Sequence, residues 1–97
     1  MATPRTKKLI IGLGRTGMSV ARYLRAQGIA FAVTDSRAAP PELATLKSVA
    51  PDVTVRAGGF DQSLLDDVNE VIISPGVSLR EPILVEATRR GLPRIRP

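Results

Sequence analysis

The chain has 97 residues, 43% of them hydrophobic and 24% charged, a composition that fits one folded domain near the lower end of the usual size range. It contains no cysteine and no histidine, which excludes disulfides, thiolate or imidazole metal sites, cysteine nucleophiles and Ser-His-Asp triads. The formal net charge is +5, but 7 of the 14 basic residues fall in segments 5–8 and 89–96 and none is interleaved with stacking aromatics, which argues against nucleic-acid binding.

Strand and helix patterns alternate along the chain. Continuous apolar runs predict buried strands at 9–11, 30–33 and 71–73, an alternating run predicts a peripheral strand at 53–56, and a fifth strand begins near 92–95. Helical spacing predicts helices at about 15–27, between Pro41 and Pro51, from near Asp61 through Val68, and from Pro82 to Gly91. This order predicts an α/β, Rossmann-like fold: a five-stranded, mostly parallel sheet with helices on both faces and strand order 3-2-1-4-5.

The first predicted strand runs directly into a G-x-G-x-x-G motif at 12–17, which opens the first predicted helix. In this context Gly12 permits the tight turn, Gly14 leaves space for a phosphate at the backbone, and Gly17 lets helix and strand pack closely. Free N–H groups and the positive end of the helix favour an anion beside Arg15 and Thr16. The alternative is a glycine turn that serves packing alone.

Asp35, Ser36 and Arg37 end the second predicted strand, 18 residues after Gly17. Dinucleotide-binding folds place a carboxylate at this point, where it accepts hydrogen bonds from a nucleoside. Ser36 adds a hydroxyl, and Arg37 adds a planar cation that can stack on a base or meet a phosphate. Asp-Ser is also ordinary turn chemistry, so this signal has a purely structural alternative.

Ser74, Pro75 and Gly76 end the fourth predicted strand. In strand order 3-2-1-4-5 this loop faces the glycine loop across the crevice where the order reverses. Gly76 allows close backbone approach and Ser74 brings a donor or acceptor, although Ser-Pro-Gly alone is a common turn. Together the three loops predict one site for a nucleotide that contains a diphosphate.

Other polar groups indicate no further chemistry. Asp66 and Asp67 lie away from the carboxyl edge and are expected to be solvated, and Arg89 and Arg90 are expected to complement a helix dipole. The chain has no P-loop motif and no candidate general base with a partner. The sequence therefore supports binding, and it predicts no catalytic residue, no bound cofactor and no metal site.

The three loops together resemble the N-terminal domain of the Mur ligases, over about residues 7 to 92. The resemblance is carried by the glycine loop, by Asp35-Ser36-Arg37 with the following prolines, and by Ser74-Pro75-Gly76. It is greatest for the branch that adds D-glutamate to UDP-N-acetylmuramoyl-L-alanine. One departure is Arg15, which stands where the family usually has an apolar residue.

The resemblance implies that residues 1–97 form a single UDP-binding domain of a longer ATP-dependent ligase, whose ATP-binding and C-terminal domains lie outside this chain. ATP and Mg²⁺ would belong to that parent enzyme, which activates the alanine carboxylate as an acyl phosphate. The implied UDP-binding residues along the diphosphate and ribose are Gly14, Arg15, Thr16, Gly17, Ser74, Pro75 and Gly76. Those implied to hold the uracil are Asp35, Ser36 and Arg37.

The main alternative function is an NAD(P)-binding module of an oxidoreductase or sensor, with Asp35 on a ribose or Arg37 on a 2′-phosphate. The glycine motif and Asp35 fit both functions, whereas the other two loops favour the ligase domain. No apolar run approaches the roughly 18 residues of a membrane helix. We therefore expect a bacterial cytoplasmic monomer that binds UDP-N-acetylmuramoyl-L-alanine and neither nucleic acid nor membrane.

Overall fold

The computed structural model describes residues 7–97, which form one parallel sheet with helices on both faces. The strands lie in the order β3-β2-β1-β4-β5, and every neighbouring pair is parallel. Their bounds are β1 Lys7–Ile11, β2 Ala30–Thr34, β3 Val55–Arg56, β4 Glu70–Ile73 and β5 Arg94–Ile95. The predicted fold class and strand order are therefore confirmed.

Three α-helices and one 3-10 helix connect the strands. They are α1 Arg15–Ala26, α2 Leu43–Val49, the 3-10 helix Gln62–Asp67 and α3 Pro82–Arg89. Gly28 follows the C-terminus of α1 with φ +69°, a left-handed conformation that glycine adopts without strain. Pro82 is the first residue of α3 and lies in its first turn. Within residues 7–97, no helix combines the length and apolar character needed to cross a membrane.

Alternate residues of the central strands supply two separate cores. Leu9 and Ile11 face the 3-10 helix and α3, together with Val71 and Ile73 from β4. Ile10 faces the opposite side, where it joins the apolar residues of α1 and α2. Because both faces are covered, β1 and β4 are apolar at nearly every position, as parallel strands usually are.

Two local predictions differ from the structure. β3 covers Val55–Arg56 alone, a shorter strand than the predicted run 53–56. The third predicted helix is a 3-10 helix that ends at Asp67. At its N-terminus the Asp61 side chain accepts a hydrogen bond from the Ser63 N–H. Val68 lies just beyond it in extended backbone and is still buried.

Asp66 and Asp67 are exposed to solvent, as predicted, and both also form ion pairs at the surface. Asp66 contacts Arg90 at 2.7 Å and Asp67 contacts Lys7 at 2.8 Å. Arg89 and Arg90 both also bind Glu86, so they neutralise a carboxylate on α3 in addition to lying at its C-terminal end. These ion pairs connect surface segments that are distant in sequence, Lys7 with Asp67 and Asp66 with Arg90.

Candidate functional site

The carboxyl ends of β1, β2 and β4 open into a cavity of about 510 Å³. In parallel folds this edge is where ligands bind, next to the point where the strand order reverses. The cavity is lined by residues from four loops: Gly12, Gly14, Arg15, Thr16, Asp35, Ser36, Arg37, Phe60, Ser74, Pro75, Gly76, Val77, Ser78 and Glu81.

Two glycines of the motif serve close packing. Gly12 has φ +97°, and a Cβ added there would lie 2.9 Å from Cβ of Ser74. A Cβ added at Gly17 would overlap the carbonyl oxygen of Gly12, so α1 could not approach β1. Both glycines therefore have the packing roles predicted from the sequence, and Gly17 itself does not line the cavity.

Gly14 and Gly76 border open space instead. No atom lies within 4 Å of a Cβ built at either position. Gly14 is also the residue that caps the N-terminus of α1, where no side chain accepts a hydrogen bond from the first turn. The N–H groups of that turn are therefore available to an anion, which the helix dipole also favours.

Asp35 is only 1% exposed, and its carboxylate is fully engaged by donors of the protein. Oδ2 accepts from the Leu13 N–H at 2.7 Å and from Arg37 Nη2 at 2.8 Å. Oδ1 accepts from the backbone N–H of Arg37 at 2.7 Å and from Arg37 Nε at 3.0 Å. Asp35 thus ties the glycine loop to the end of β2 and fixes the guanidinium of Arg37, which is half exposed at the cavity.

These hydrogen bonds determine the charge of Asp35. Burial by itself raises the pKa of the carboxyl group, but the hydrogen bonds from the Arg37 side chain and from the Leu13 and Arg37 backbone outweigh it and hold the pKa below its ordinary value. The carboxylate is therefore ionised at neutral pH. A ligand N–H can reach one of its lone pairs only where Arg37 releases it.

Ser74 joins the two sides of the crevice. Its hydroxyl donates to the carbonyl oxygen of Gly12 at 2.6 Å, and its backbone N–H donates to the carbonyl oxygen of Ile11 at 3.0 Å. Because the hydroxyl hydrogen is used internally, the side chain offers only an acceptor to the cavity. Its role in this structure is to hold β4's loop against the glycine loop.

The loop after β3 contributes a fourth side of the cavity that the sequence argument missed. The Gly58 N–H donates to the carbonyl oxygen of Arg37 and the Gly59 N–H to that of Asp35, so this loop runs beside the end of β2 and brings Phe60 to the cavity. Both glycines have positive φ. A usable signal was present: the Gly-Gly pair follows a predicted strand at the same edge.

Nine of the ten predicted site residues line the cavity together, and Gly17 lies behind them. The residues that were not predicted are Phe60, Val77, Ser78 and Glu81. Arg15 forms no ion pair or side-chain hydrogen bond with the residues that the structure describes, so its charge remains free. The same part of the chain contains no cluster of three acidic side chains that could hold a metal.

The chemistry that this arrangement supports is binding of an anionic group. It offers uncapped N–H groups, the free Arg15 cation and two glycines beside open space. The buried carboxylate of Asp35 is saturated by donors of the protein, so in this arrangement it has no lone pair left to accept a proton from a ligand.

Residues 6–96 match the family model described as Mur ligase MurD-like, N-terminal domain. Curated relatives include the UDP-N-acetylmuramoylalanine--D-glutamate ligases of Nitrosococcus oceani, 47% identical, Pseudomonas aeruginosa, 48% identical, and Marinobacter nauticus, 50% identical. Each alignment spans 85 residues, which is 88% of this chain and 19% of the relative. The chain therefore covers about a fifth of the length of these ligases.

Two solved structures show the same fold. A pseudomurein peptide ligase type C from Methanothermus fervidus superposes with a TM-score of 0.76 at 24% identity, over 95% of this chain and 19% of its own. A minor L-lactate dehydrogenase from Enterococcus mundtii superposes with a TM-score of 0.61 at 22% identity, over 97% of this chain and 37% of its own. At these identities the likeness concerns the fold alone.

Proposed function

The chain belongs to the family of MurD-like N-terminal domains of the Mur ligases, and on that premise we propose that its carboxyl-edge cavity binds the UDP part of UDP-N-acetylmuramoyl-L-alanine. The observation that carries the proposal is the uncapped N-terminus of α1 at Gly14, facing open space at the cavity. A diphosphate supplies the negative oxygens that such N–H groups and the helix dipole favour.

The proposed contacts follow the two sides of the cavity. The diphosphate and ribose lie along the glycine loop and the Ser-Pro-Gly loop, and the contacts there are assigned to Gly14, Arg15, Thr16, Gly17, Ser74, Pro75 and Gly76. The uracil lies at the end of β2, beside Asp35, Ser36 and Arg37. Gly17 does not line the cavity, so the contribution proposed for it is its backbone N–H in the first turn of α1.

Arg15 is the residue with the clearest electrostatic role in this proposal. It stands at the first position of α1, lines the cavity and has no carboxylate partner among residues 7–97. A free guanidinium can pair with phosphate oxygens through two parallel N–H bonds. Its position in the first turn is unfavourable for the helix dipole, and a bound diphosphate would relieve that.

The whole protein's activity is proposed by the same family membership. Residues 1–97 form one UDP-binding domain of a bacterial, cytoplasmic, ATP-dependent ligase that adds D-glutamate in the synthesis of peptidoglycan precursors. ATP and Mg²⁺ are assigned to the part of the parent enzyme that this chain, at 19% of the relatives' length, does not cover. The residues described here hold and orient the nucleotide end of the substrate, and by themselves they are not expected to form an amide bond.

The proposal is tested by titrating the chain with UDP and, separately, with NADH while following backbone amide signals by NMR. We expect UDP to bind with a dissociation constant on the order of 0.1–10 mM, because only part of the parent substrate's contacts are available. Its shifts should concentrate at the glycine loop and at Gly76. NADH should bind no more tightly than UDP, and tighter binding of NADH would favour the dinucleotide alternative.

A further inference from the structure

Arg96 follows β5 and holds the loop that follows β4. Its Nη1 donates to the carbonyl oxygen of Pro75 at 2.9 Å, and its Nη2 donates to the carbonyl oxygen of Val77 at 3.0 Å. The register of the sheet makes this possible, since Ile72 of β4 lies beside Ile95 of β5 and both strands leave the sheet at the same edge. One side chain therefore spans the two carbonyl groups on either side of Gly76.

Fixing these carbonyls also fixes the N–H groups of the same peptide units. Residues 7–97 contain no cis peptide bond, and in a trans peptide the C=O and N–H point in opposite directions. The partner of the Pro75 carbonyl is the Gly76 N–H, and the partner of the Val77 carbonyl is the Ser78 N–H. Neither N–H has an acceptor within the described chain, and both residues line the cavity.

We propose that Arg96 is a positioning residue for the nucleotide site: it holds two peptide units so that the N–H groups of Gly76 and Ser78 face a phosphate oxygen of the ligand. This rests on the proposed function, because the ligand is the diphosphate of a UDP-containing substrate. Without Arg96, the Pro75–Gly76 peptide unit can rotate about the permissive φ of Gly76, and the Val77–Ser78 unit loses the donor to its carbonyl oxygen, so binding must then order the loop.

The shape of the guanidinium matters to this role as much as its charge. A planar fork with N–H donors in fixed directions can serve two carbonyls at once, whereas a lysine ammonium is a compact point charge on a flexible stem. Arg96→Lys therefore keeps the charge and loses the fork. Arg94→Ala is the matched control, because Arg94 lies two residues earlier on β5, carries the same charge and donates to Thr88 on α3, away from the cavity.

The experiment compares the parent chain with Arg96→Ala, Arg96→Lys and Arg94→Ala. UDP dissociation constants come from amide NMR titrations, and ¹⁵N relaxation reports the mobility of Gly76, Val77 and Ser78 without ligand. We expect Arg96→Ala and Arg96→Lys both to weaken UDP binding by about threefold to tenfold and to raise the mobility of these three amides. Arg94→Ala should match the parent in both measurements.

Three results would overturn the inference. One is UDP binding by Arg96→Ala that equals the parent's. A second is parent-like UDP binding by Arg96→Lys while Arg96→Ala binds more weakly, which would mean that the positive charge is sufficient without the fork. The third is equal weakening by Arg94→Ala, which would indicate a general effect of net charge. If the parent itself does not bind UDP, the proposed function fails instead, and unchanged mobility of the loop in Arg96→Ala would then still contradict the positioning role.

Discussion

The two edges of the sheet carry cavities of similar size and opposite character. The cavity at the carboxyl edge has about 510 Å³ and the one at the amino edge about 570 Å³. At the amino edge the four charged residues of the lining neutralise one another, with Lys7 to Asp67 and Arg25 to Asp52 each at 2.8 Å. At the carboxyl edge Arg15 and several N–H groups have no partner among the described residues.

Cavity volume alone therefore does not distinguish the two edges of the sheet. What distinguishes the carboxyl edge is unsatisfied hydrogen-bonding and charge capacity, held in place by glycines that either pack closely or leave space. Groups that already have partners gain little from a ligand, because binding only exchanges one hydrogen bond for another.

The largest effect is expected at Gly17, which supports the carboxyl edge without lining it. Gly17→Ala should lower the free energy of unfolding by about 2–4 kcal/mol, because its Cβ would overlap the Gly12 carbonyl oxygen and force α1 away from β1. Urea unfolding followed by circular dichroism measures this. Gly14→Ala in the same loop is the control and should unfold like the parent, since its Cβ meets open space.

Gly14→Val comes next and affects binding rather than folding. Gly14 has φ −101°, which a side chain tolerates, so the variant should keep the parent's unfolding transition. Its branched side chain would occupy the space that the diphosphate needs, and UDP titration should show at least a roughly thirtyfold loss of affinity. Parent-like UDP binding by this folded variant would place the phosphates elsewhere.

Asp35→Asn tests the buried carboxylate that joins the glycine loop to the end of β2 at the same edge. The amide nitrogen would face N–H donors where the carboxylate now accepts four hydrogen bonds, so we expect a loss of about 2–3 kcal/mol in unfolding free energy at pH 7. Folding lowers the pKa of the Asp35 carboxyl group. Its contribution to the free energy of unfolding is therefore complete when the pH is above the ordinary pKa of aspartate, and it disappears as the pH falls through the pKa of the folded state.

The difference between parent and Asp35→Asn should therefore shrink in acid, which urea unfolding at several pH values would reveal. A constant difference would mean that shape rather than charge matters at this position. Ser36→Ala is a suitable control, because Ser36 is exposed and forms no side-chain hydrogen bond within the described residues.

Asp52→Asn carries the comparison to the amino edge. It breaks the ion pair with Arg25, and we expect no measurable change in UDP affinity because that cavity lies at the opposite ends of the strands. Both partners are largely exposed, so unfolding should also change little. A loss of UDP binding comparable to that of Gly14→Val would remove the distinction between the edges.

The smallest effect concerns Glu86 on α3, outside both cavities. Hydrogen bonds from Arg89 and Arg90 lower the pKa of its carboxyl group from 4.5 to about 2. A lowered pKa means that the stabilisation is complete above 4.5 and is lost as the pH falls towards 2. Glu86→Gln should therefore unfold slightly more easily than the parent at pH 6, and this difference should disappear as the pH falls through 2, with UDP binding unchanged.

Much of the site could be predicted because its signals are local. Gly12, Gly14 and Gly17 stand at fixed spacing between an apolar strand and an amphipathic helix. Gly12 and Gly17 have the packing roles that this spacing predicts, and Gly14 borders open space. The ends of parallel strands meet at one edge, so the loops at Asp35 and Ser74 could be placed beside them.

The remaining features depend on contacts between distant residues. That the lone pairs of Asp35 are filled follows from the position of the Leu13 N–H and the rotamer of Arg37, which no spacing encodes. The reach of Arg96 to carbonyls 19 and 21 residues earlier depends on the register of β4 and β5. Phe60 could have been found by applying the strand-end rule to the weak β3.

The central position of β1 has a consequence for the order in which the chain can fold. Its partner β2 begins at Ala30, but its other partner β4 begins only at Glu70. During synthesis from the N-terminus, the apolar residues Leu9 and Ile11 therefore lack the cover of β4 and α3 until most of the domain has been translated. Nascent chains that stop before Glu70 would expose an unpaired strand edge and half a core, and they should aggregate or be degraded.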